Sequence, residues 1–236
     1  DNEITNKPTA KLLNKLRDVA VQTNNDVAQQ LGVAASAAIT CVKPSGTVSQ
    51  LVDSASGIHA RHSEYYIRTV RGDNKDPLTQ FMADAGIPAE PCVMKPDSTT
   101  VFSFPVKSPE GATTRNEMSA IEQLELWKMY ALEWCEHKPS VTITVRDDEW
   151  MKVGAWVYDN FDICSGVSFL PHSDHTYAQA PYQDCDAATY KAALKDMPKS
   201  IDWTKLSDYE QEDNTAGTQT LACSGDSCEI VDLTAA

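Results

Sequence analysis

The sequence has no long apolar run and little positive charge. No stretch approaches the ~18 consecutive apolar residues of a membrane-spanning helix, and the mean hydropathy is −0.38, so we expect no membrane span. Only 20 Lys and Arg accompany 34 Asp and Glu, which gives a formal net charge of −14 at pH 7. A surface for duplex DNA or anionic membranes needs clustered basic charge, so we expect neither partner. A nucleotide site stays open, because a few backbone N–H groups can hold a phosphate in an acidic protein.

Disulfide-scaffold spacing is also absent. The seven cysteines are an odd number and, apart from Cys223 and Cys228, they are scattered along the chain. This usage favours a reducing compartment, and we expect a cytoplasmic protein. A signal peptide is missing as well, and the chain opens at Asp1 without a Met, so we expect a piece of a longer protein. We expect the five scattered cysteines to be packing residues: Cys41, Cys92, Cys135, Cys164 and Cys185.

What the chain does have is an alternation of helical and strand patterns. Apolar spacing predicts an amphipathic helix over 9–31, and the short apolar segment 34–42 predicts a buried strand. A loop and a second helical pattern follow, which is the arrangement of an α/β protein. Further strands are predicted at 65–71, 101–106, 140–145 and 167–170. Further helices are predicted at 76–85, at 117–136 with Asn116 as N-cap, from Asp147 or Asp148 onward, and at 186–196.

The character of the chain changes near residue 205. Residues 204–236 hold one basic residue against seven acidic ones, and the apolar periodicity stops there. We therefore expect a body over 1–205, followed by a flexible acidic tail over 206–236 that carries the closely spaced cysteine pair.

The loop after the predicted strand 34–42 could hold a phosphate. Gly46 lets a ligand approach the backbone, the hydroxyls can donate hydrogen bonds, and the N–H groups of a following helix start favour an anion. It is not a Walker A loop, which needs two glycines and a Lys directly before Ser or Thr. The alternative is an ordinary strand-to-helix turn, since Gly, Ser and Thr are common in such turns. The candidate phosphate-binding residues are Lys43, Pro44, Ser45, Gly46, Thr47 and Ser49.

The second candidate is the cysteine pair of the tail. Four residues, one of them Gly, separate Cys223 from Cys228, so the two sulfurs could meet in a small ring. On a flexible tail the pair could act as a carried dithiol that exchanges with a disulfide elsewhere through thiolate attack. A zinc site would need two more ligands, which the tail sequence lacks. The remaining alternative is two incidental surface thiols.

The histidines give weaker signals. His59 and His62 follow the loop, with Arg61 between them able to meet an anionic ligand. His172 and His175 stand three apart on a segment that follows a proline. A metal site needs a third ligand in suitable geometry, so surface or capping roles are favoured for all four histidines, and no metal site is predicted.

Several segments carry a further signal because they occur together and in a particular order. They are Thr40-Cys41-Val42-Lys43-Pro44-Ser45-Gly46-Thr47-Val48-Ser49, Ser56-Gly57-Ile58-His59 and Tyr65-Tyr66-Ile67-Arg68. Later ones are Val93-Met94-Lys95-Pro96, Phe102-Ser103-Phe104-Pro105, Pro109-Glu110-Gly111-Ala112, Gly166-Val167-Ser168-Phe169-Leu170-Pro171 and Tyr177-Ala178-Gln179-Ala180-Pro181-Tyr182. Over nearly the whole chain, this set resembles the C-terminal half of adenosylcobalamin-dependent (class II) ribonucleotide reductases, in their monomeric, triphosphate-reducing branch.

The resemblance implies that residues 1–205 form the C-terminal part of a ten-stranded α/β barrel. The family reduces ribonucleotides at C2′ through a thiyl radical that adenosylcobalamin generates on a barrel cysteine. That cysteine, its Glu and the barrel cysteine pair lie upstream of this chain in the family's order. The remaining N-terminal part of the same protein would therefore be needed for catalysis, and the fragment alone would be inactive.

For the residues present here, the resemblance implies two roles. Residues 43–49 match the family's loop for the phosphates of the ribonucleotide substrate. Cys223 and Cys228 match the shuttle pair that reduces the barrel disulfide and is itself reduced by thioredoxin or a similar dithiol.

Two alternatives stay open. One is a non-catalytic, phosphate-binding α/β module. The other is a ribonucleotide reductase whose radical comes from a diiron partner subunit, although the run Lys43-Pro44-Ser45-Gly46-Thr47 looks like the cobalamin branch.

Overall fold

The computed structural model of the chain describes residues 8–43, 45, 48–172 and 177–210. Helices and strands alternate through these residues, which confirms the predicted mixed α/β class. The described residues form one four-stranded and one two-stranded sheet. The ten-stranded barrel that the resemblance implies is therefore not seen in this part of the chain.

Most helices and strands fall close to the predicted positions, but the short strands at 89–91 and 182–184 were not predicted. The α-helices are α1 Ala10–Leu31, α2 Val48–Leu51, α3 Pro77–Asp84, α4 Ala120–Glu133, α5 Trp150–Asp159 and α6 Ala187–Asp196. The strands are β1 Tyr65–Asp73, β2 Ala89–Pro91, β3 Thr99–Lys107, β4 Thr142–Val145, β5 Ser168–Pro171 and β6 Tyr182–Asp184. Short 3₁₀ helices span Phe161–Ile163 and Trp203–Asp208.

The chain divides into two compact units. The first comprises Asp1–Glu64 with Ser108–Asp174, and the second comprises Tyr65–Lys107 with His175–Ala236. The first unit holds α1, α2, α4, α5, β4 and β5, and so contains the candidate phosphate loop. The second unit holds the larger sheet together with α3 and α6.

The helices of the first unit begin and end at local signals. Thr9 caps α1 by accepting a hydrogen bond from the Leu12 N–H, and Gly32 ends the helix in the left-handed conformation with φ of 66°. Helix α4 begins with a capping box, in which Ser119 and Glu122 satisfy each other's backbone N–H groups. The predicted N-cap Asn116 is therefore wrong, because the Ser119–Glu122 pair satisfies two unpaired donors where a lone Asn would satisfy one.

The core of the first unit lies where α4 and α5 cover the two-stranded sheet. Strand β4 pairs with β5 in parallel, starting with Thr142 opposite Ser168. Trp127 is fully buried, its indole N–H donates to the Pro139 carbonyl at 3.2 Å, and its ring meets that of Trp156 edge to face. Such aromatic burial supplies much of the hydrophobic stabilisation of a small core. The other buried members are Ala120, Leu124, Val141, Ile143, Val145 and Val153.

The second unit is built on an antiparallel sheet with strand order β2-β3-β1-β6. Strands β1 and β3 pair along their whole length, from Tyr65 opposite Lys107 to Asp73 opposite Thr99. Within β1, Tyr66 and Thr69 are buried, while Val70 and Arg71 are exposed.

The predicted strand at 34–42 is wrong. Residues 33–38 are exposed and no strand is assigned there. A strand needs a neighbouring ladder for its N–H and C=O groups, and none runs beside this segment among the described residues. Instead, the Glu136 carboxylate accepts hydrogen bonds from the N–H groups of Ile39 and Thr40, and the Glu136 N–H donates to the Thr40 carbonyl.

The described chain ends in an aromatic cluster of the second unit. The rings of Trp203 and Tyr209 both pack on Phe81, and the Tyr209 hydroxyl donates to Asp84 at 3.1 Å. Residues from 211 onward lie outside the described residues, so the division into body and tail stays a prediction. None of the helices in the described ranges is long and apolar enough to cross a membrane.

Candidate phosphate-binding loop

Three serine hydroxyls gather at the candidate loop. The Ser45 Oγ lies 2.9 Å from the Ser49 Oγ and 2.9 Å from the Ser56 Oγ. Since one hydroxyl carries one proton, Ser45 donates to one of these neighbours and accepts from the other. The loop is also closed by its backbone, because the Val48 N–H donates to the Ser45 carbonyl at 3.0 Å.

The structure thus brings together part of the predicted phosphate-binding set. Ser45 is half-buried, Ser49 is buried and Lys43 is exposed. The helix that follows is a single turn, Val48–Leu51, so the hydroxyls and the exposed Lys43 ammonium matter more here than a helix dipole. Three predicted members fall outside the described residues: Pro44, Gly46 and Thr47.

The turn behind the loop depends on a glycine. Gly57 has φ of 56°, a left-handed conformation that glycine adopts without steric cost. A Cβ at this position would stand 3.1 Å from Val42 Cγ1, so the absent side chain also lets the turn approach the segment that leads into the loop. The Ser54 N–H donates to the Ser49 carbonyl at 2.9 Å and ties the two together.

His59 has a structural contact on each ring nitrogen. Its Nε2 accepts a hydrogen bond from the Thr142 N–H at 2.9 Å, and its Nδ1 contacts the Ser56 carbonyl. His172 Nε2 lies 3.3 Å from Asn116 Oδ1, while His175 is outside the described residues. Among the described residues, no group of three or more His, Cys, Asp or Glu is placed to hold a metal ion.

Two nitrogens of the Arg61 guanidinium already have protein partners. Its guanidinium is buried and forms an ion pair with Asp53 at 2.7 Å, and its Nε donates to the Ser108 Oγ at 3.3 Å. Asp53 itself adopts a left-handed conformation with φ of 49°, and the ion pair anchors its side chain. The geometry therefore favours a structural role for Arg61 over the anion-binding role that the sequence left open.

A cavity of about 630 Å³ lies between this turn and α4. Its wall includes Ile121, Met129 and Tyr130, but also the carboxylates of Glu117 and Glu125. Negative side chains repel phosphate, so the serine-lined loop is the better candidate for an anion.

Glu136 is a residue that sequence reasoning missed. The N–H groups of Thr40 and Ile39 hold the pKa of its carboxyl below the usual range, because they stabilise the charged form. The contact fixes the segment that leads into Lys43. A carboxylate that binds backbone 96 or 97 residues away leaves no local pattern in the sequence.

The five cysteines of the described chain are free thiols. Burial raises the pKa of the Cys135 thiol, with nearby Cys41 acting in the same direction and the Val42 N–H opposing it. Burial likewise raises the pKa of Cys164 and of Cys185. A raised pKa leaves little thiolate at neutral pH, which suits packing residues.

Cys92 differs from these three thiols. Burial alone would raise its pKa, but the N–H groups of Lys95 and Met94 and the Arg71 guanidinium outweigh that effect and lower the pKa. The sequence offered no sign of this environment, because Arg71 lies on β1 and reaches Cys92 only through the fold of the second unit.

Replacing Cys135 with Ala should therefore cost only about 1 kcal/mol of unfolding free energy, with turnover of the full-length protein intact. Urea denaturation followed by tryptophan fluorescence measures the first quantity, and a steady-state assay measures the second. A loss of turnover much larger than the loss of stability would reveal a redox role for this thiol.

A scan against protein-family models finds no match. Individual proteins do match. A probable adenosylcobalamin-dependent ribonucleoside-triphosphate reductase of Dictyostelium discoideum is 31% identical over 227 residues, which cover 94% of this chain and 28% of that protein. An adenosylcobalamin-dependent ribonucleoside-triphosphate reductase of Lactobacillus delbrueckii subsp. bulgaricus is 28% identical, over 96% of this chain and 31% of that protein.

A solved structure agrees with these relatives. The crystal structure of a B12-dependent (class II) ribonucleotide reductase superposes with a TM-score of 0.74 and 26% identity, over 85% of this chain and 28% of that one. Sequence and fold are thus similar to part of a class II ribonucleotide reductase. More specifically, the chain is a homologue of part of the adenosylcobalamin-dependent ribonucleoside-triphosphate reductases, which confirms the resemblance seen in the sequence. It spans only about 30% of the length of these relatives.

Proposed function

We propose that the chain is one part of a longer adenosylcobalamin-dependent ribonucleoside-triphosphate reductase, in which loop 43–49 binds the phosphates of the substrate. The enzyme reduces ribonucleotides to 2′-deoxyribonucleotides. The similarity to reductases over 94% and 96% of the chain supports the reaction. The single observation that supports the loop is the hydroxyl cluster of Ser45, Ser49 and Ser56.

In this proposal the chain contributes the C-terminal part of a ten-stranded barrel, and the N-terminal remainder of the same protein completes it. The short parallel pair of β4 and β5 supports the idea, because parallel strands are normally covered on both faces. We assign the protein to the cytoplasm, where its thiols stay reduced, and propose no nucleic-acid or membrane partner.

The proposed role of the loop is to bind the phosphates of the substrate and to orient the substrate. The Lys43 ammonium attracts the triphosphate, and the serine hydroxyls can turn their protons toward phosphate oxygens once the ligand displaces their mutual contacts. Holding the phosphates fixes the position of the ribose, which is the part of the substrate that reacts.

Adenosylcobalamin supplies the radical that starts the reaction in the proposed enzyme. We assign none of the described residues to the cofactor and route no step of the chemistry through them. The cofactor site belongs, in this proposal, to the complete protein.

Cys223 and Cys228 are proposed to be the shuttle dithiol. One tail thiolate attacks a sulfur of the barrel disulfide, a mixed disulfide forms, and the second tail thiolate resolves it. The barrel disulfide gains two electrons and is reduced to two thiols, while the tail pair is oxidised to a disulfide. Thioredoxin or a similar dithiol then reduces the tail by the same exchange.

The experiment is a reductase assay of the full-length protein with CTP, thioredoxin and adenosylcobalamin, and no second subunit. We expect dCTP to form only when adenosylcobalamin is present, and the 236-residue chain alone to be inactive. Activity that requires a diiron subunit instead would favour the second type of reductase. Binding of CTP without reduction under any of these conditions would favour the non-catalytic phosphate-binding module.

A further inference from the structure

His59 lies directly behind the candidate phosphate loop and is held from both sides. The Thr142 N–H, at the first residue of β4, donates to Nε2 at 2.9 Å. An imidazole nitrogen that accepts a hydrogen bond carries no proton, so in the neutral ring the proton sits on Nδ1. Nδ1 then donates to the Ser56 carbonyl. The two contacts together select one neutral tautomer and one ring orientation.

The contacts continue from this ring to the loop. The Ser56 Oγ lies 2.9 Å from the Ser45 Oγ, which lies 2.9 Å from the Ser49 Oγ. Ser49 is 5% exposed, so its hydroxyl lies inside the unit. His59 contacts the backbone carbonyl of Ser56, and Ser45 contacts its hydroxyl. Ser56 therefore links the hydrogen bonds that start at β4 to those of the two serines of the loop.

The turn that carries Ser56 has a few other contacts, among them the Ser54 N–H, which donates to the Ser49 carbonyl at 2.9 Å. Its backbone is held by the His59 N–H, which donates to the Ser56 carbonyl at 3.0 Å, and by the close approach of Gly57 to Val42. Strand β4, by contrast, is part of the buried core, with Ile143 and Val145 both fully buried. The imidazole thus connects the buried core strand to a turn that is only partly buried.

We infer that His59 is a positioning residue for substrate phosphate: it fixes Ser56, and through Ser56 it sets the rotamers of Ser45 and Ser49. This inference rests on the proposed function of loop 43–49. His59 does not touch the ligand itself. Without its ring, the Thr142 N–H loses its acceptor and the Ser56 carbonyl keeps only the His59 backbone N–H as a donor. The orientation of the serine hydroxyls is then no longer fixed.

Three substitutions separate the two contacts of the ring. His59→Gln keeps an acceptor near the Nε2 position for the Thr142 N–H, His59→Asn keeps a donor near the Nδ1 position for the Ser56 carbonyl, and His59→Ala removes both. His137→Ala is the matched control, because that histidine is exposed and lies in the same unit. Each variant is made in the full-length protein.

The readouts are the Kd for CTP by equilibrium dialysis, KM and kcat for CTP, and the melting temperature. We expect His59→Ala to raise Kd and KM about tenfold, the result of disturbing one or two hydrogen bonds, with kcat within about threefold of the wild type. His59→Gln should recover part of the loss, and His137→Ala should change nothing. Gly57→Ala, which strains the same turn from its other side, should also raise Kd.

Two results would overturn the inference. One is a Kd for CTP within about twofold of wild type in His59→Ala. The other is a fall in melting temperature and kcat with an unchanged KM, since that marks a merely structural residue. Reductase activity is measured separately. If the protein binds CTP in a way that depends on His59 but does not reduce it, this inference holds and the proposed function is refuted. Failure of the wild type to bind CTP would refute both.

Discussion

Replacing both Cys223 and Cys228 with Ser should abolish repeated turnover with thioredoxin in the full-length protein, while a single turnover of pre-reduced enzyme survives. Each turnover in the proposed reaction leaves a disulfide in the barrel, and the tail dithiol is the only carrier proposed to reach it. The rate of thioredoxin-driven cycling should fall on the order of 100-fold or more, because a tethered thiol acts at a far higher effective concentration than a free partner.

The reach of the tail can be estimated from where the described chain is held. Tyr209 is fixed by Phe81 and Asp84, and about 13 residues separate Glu210 from Cys223. A flexible chain of that length, as the composition predicts, has an r.m.s. span of roughly 20 Å and a stretched limit of about 45 Å. That reach suffices for the dithiol to alternate between a buried disulfide and an external reductant.

The measurement compares three assays of the same variant: cycling with thioredoxin, cycling with dithiothreitol, and one pre-reduced turnover. Only the rate of cycling with thioredoxin should fall, because a small dithiol can enter the barrel without the tail. Cys164→Ser is the matched control, since burial raises the pKa of that thiol and no electron transfer is assigned to it. A Cys223→Ser/Cys228→Ser protein that cycles normally with thioredoxin would show that the pair is incidental.

Gly46→Val should raise KM for the ribonucleotide by more than about tenfold while the protein still folds. A valine side chain adds bulk where the phosphate is proposed to approach the loop backbone. Hydrogen bonds to a charged group are each worth about 1.5–3 kcal/mol, so the loss of even one exceeds a factor of ten.

The control for this substitution is Gly154→Ala on α5. A Cβ added there meets no atom within 4 Å, and an alanine in a helix is no less stable than glycine. KM should therefore stay at the wild-type value in the control. An unchanged KM in Gly46→Val as well would remove this loop from the substrate site.

Local signals in the sequence were enough to predict most helices and strands. Strands β1 and β3 follow their aromatic and β-branched runs, and α3 begins at Pro77 after the cap Asp76. The prediction of a strand at 34–42 was wrong because an apolar run does not reveal whether a partner strand lies beside it.

The candidate site was only partly predictable for the same reason. Ser45 and Ser49 are four positions apart in one short motif, so local structure alone can bring their hydroxyls together. The residues that support this region are distant in the sequence. His59 accepts a hydrogen bond from the Thr142 N–H, 83 positions away, and Glu136 accepts one from the Thr40 N–H, 96 positions away. Contacts of that separation depend on tertiary packing, so their residues show no local pattern.

The most direct test of the central claim is a structure of the full-length protein with CTP bound. The account predicts triphosphate oxygens within hydrogen-bonding distance, about 2.5–3.2 Å, of the hydroxyls or N–H groups of residues 45–49, with His59 still between Ser56 and Thr142. A triphosphate bound elsewhere, with the serine cluster unchanged and untouched, would contradict it.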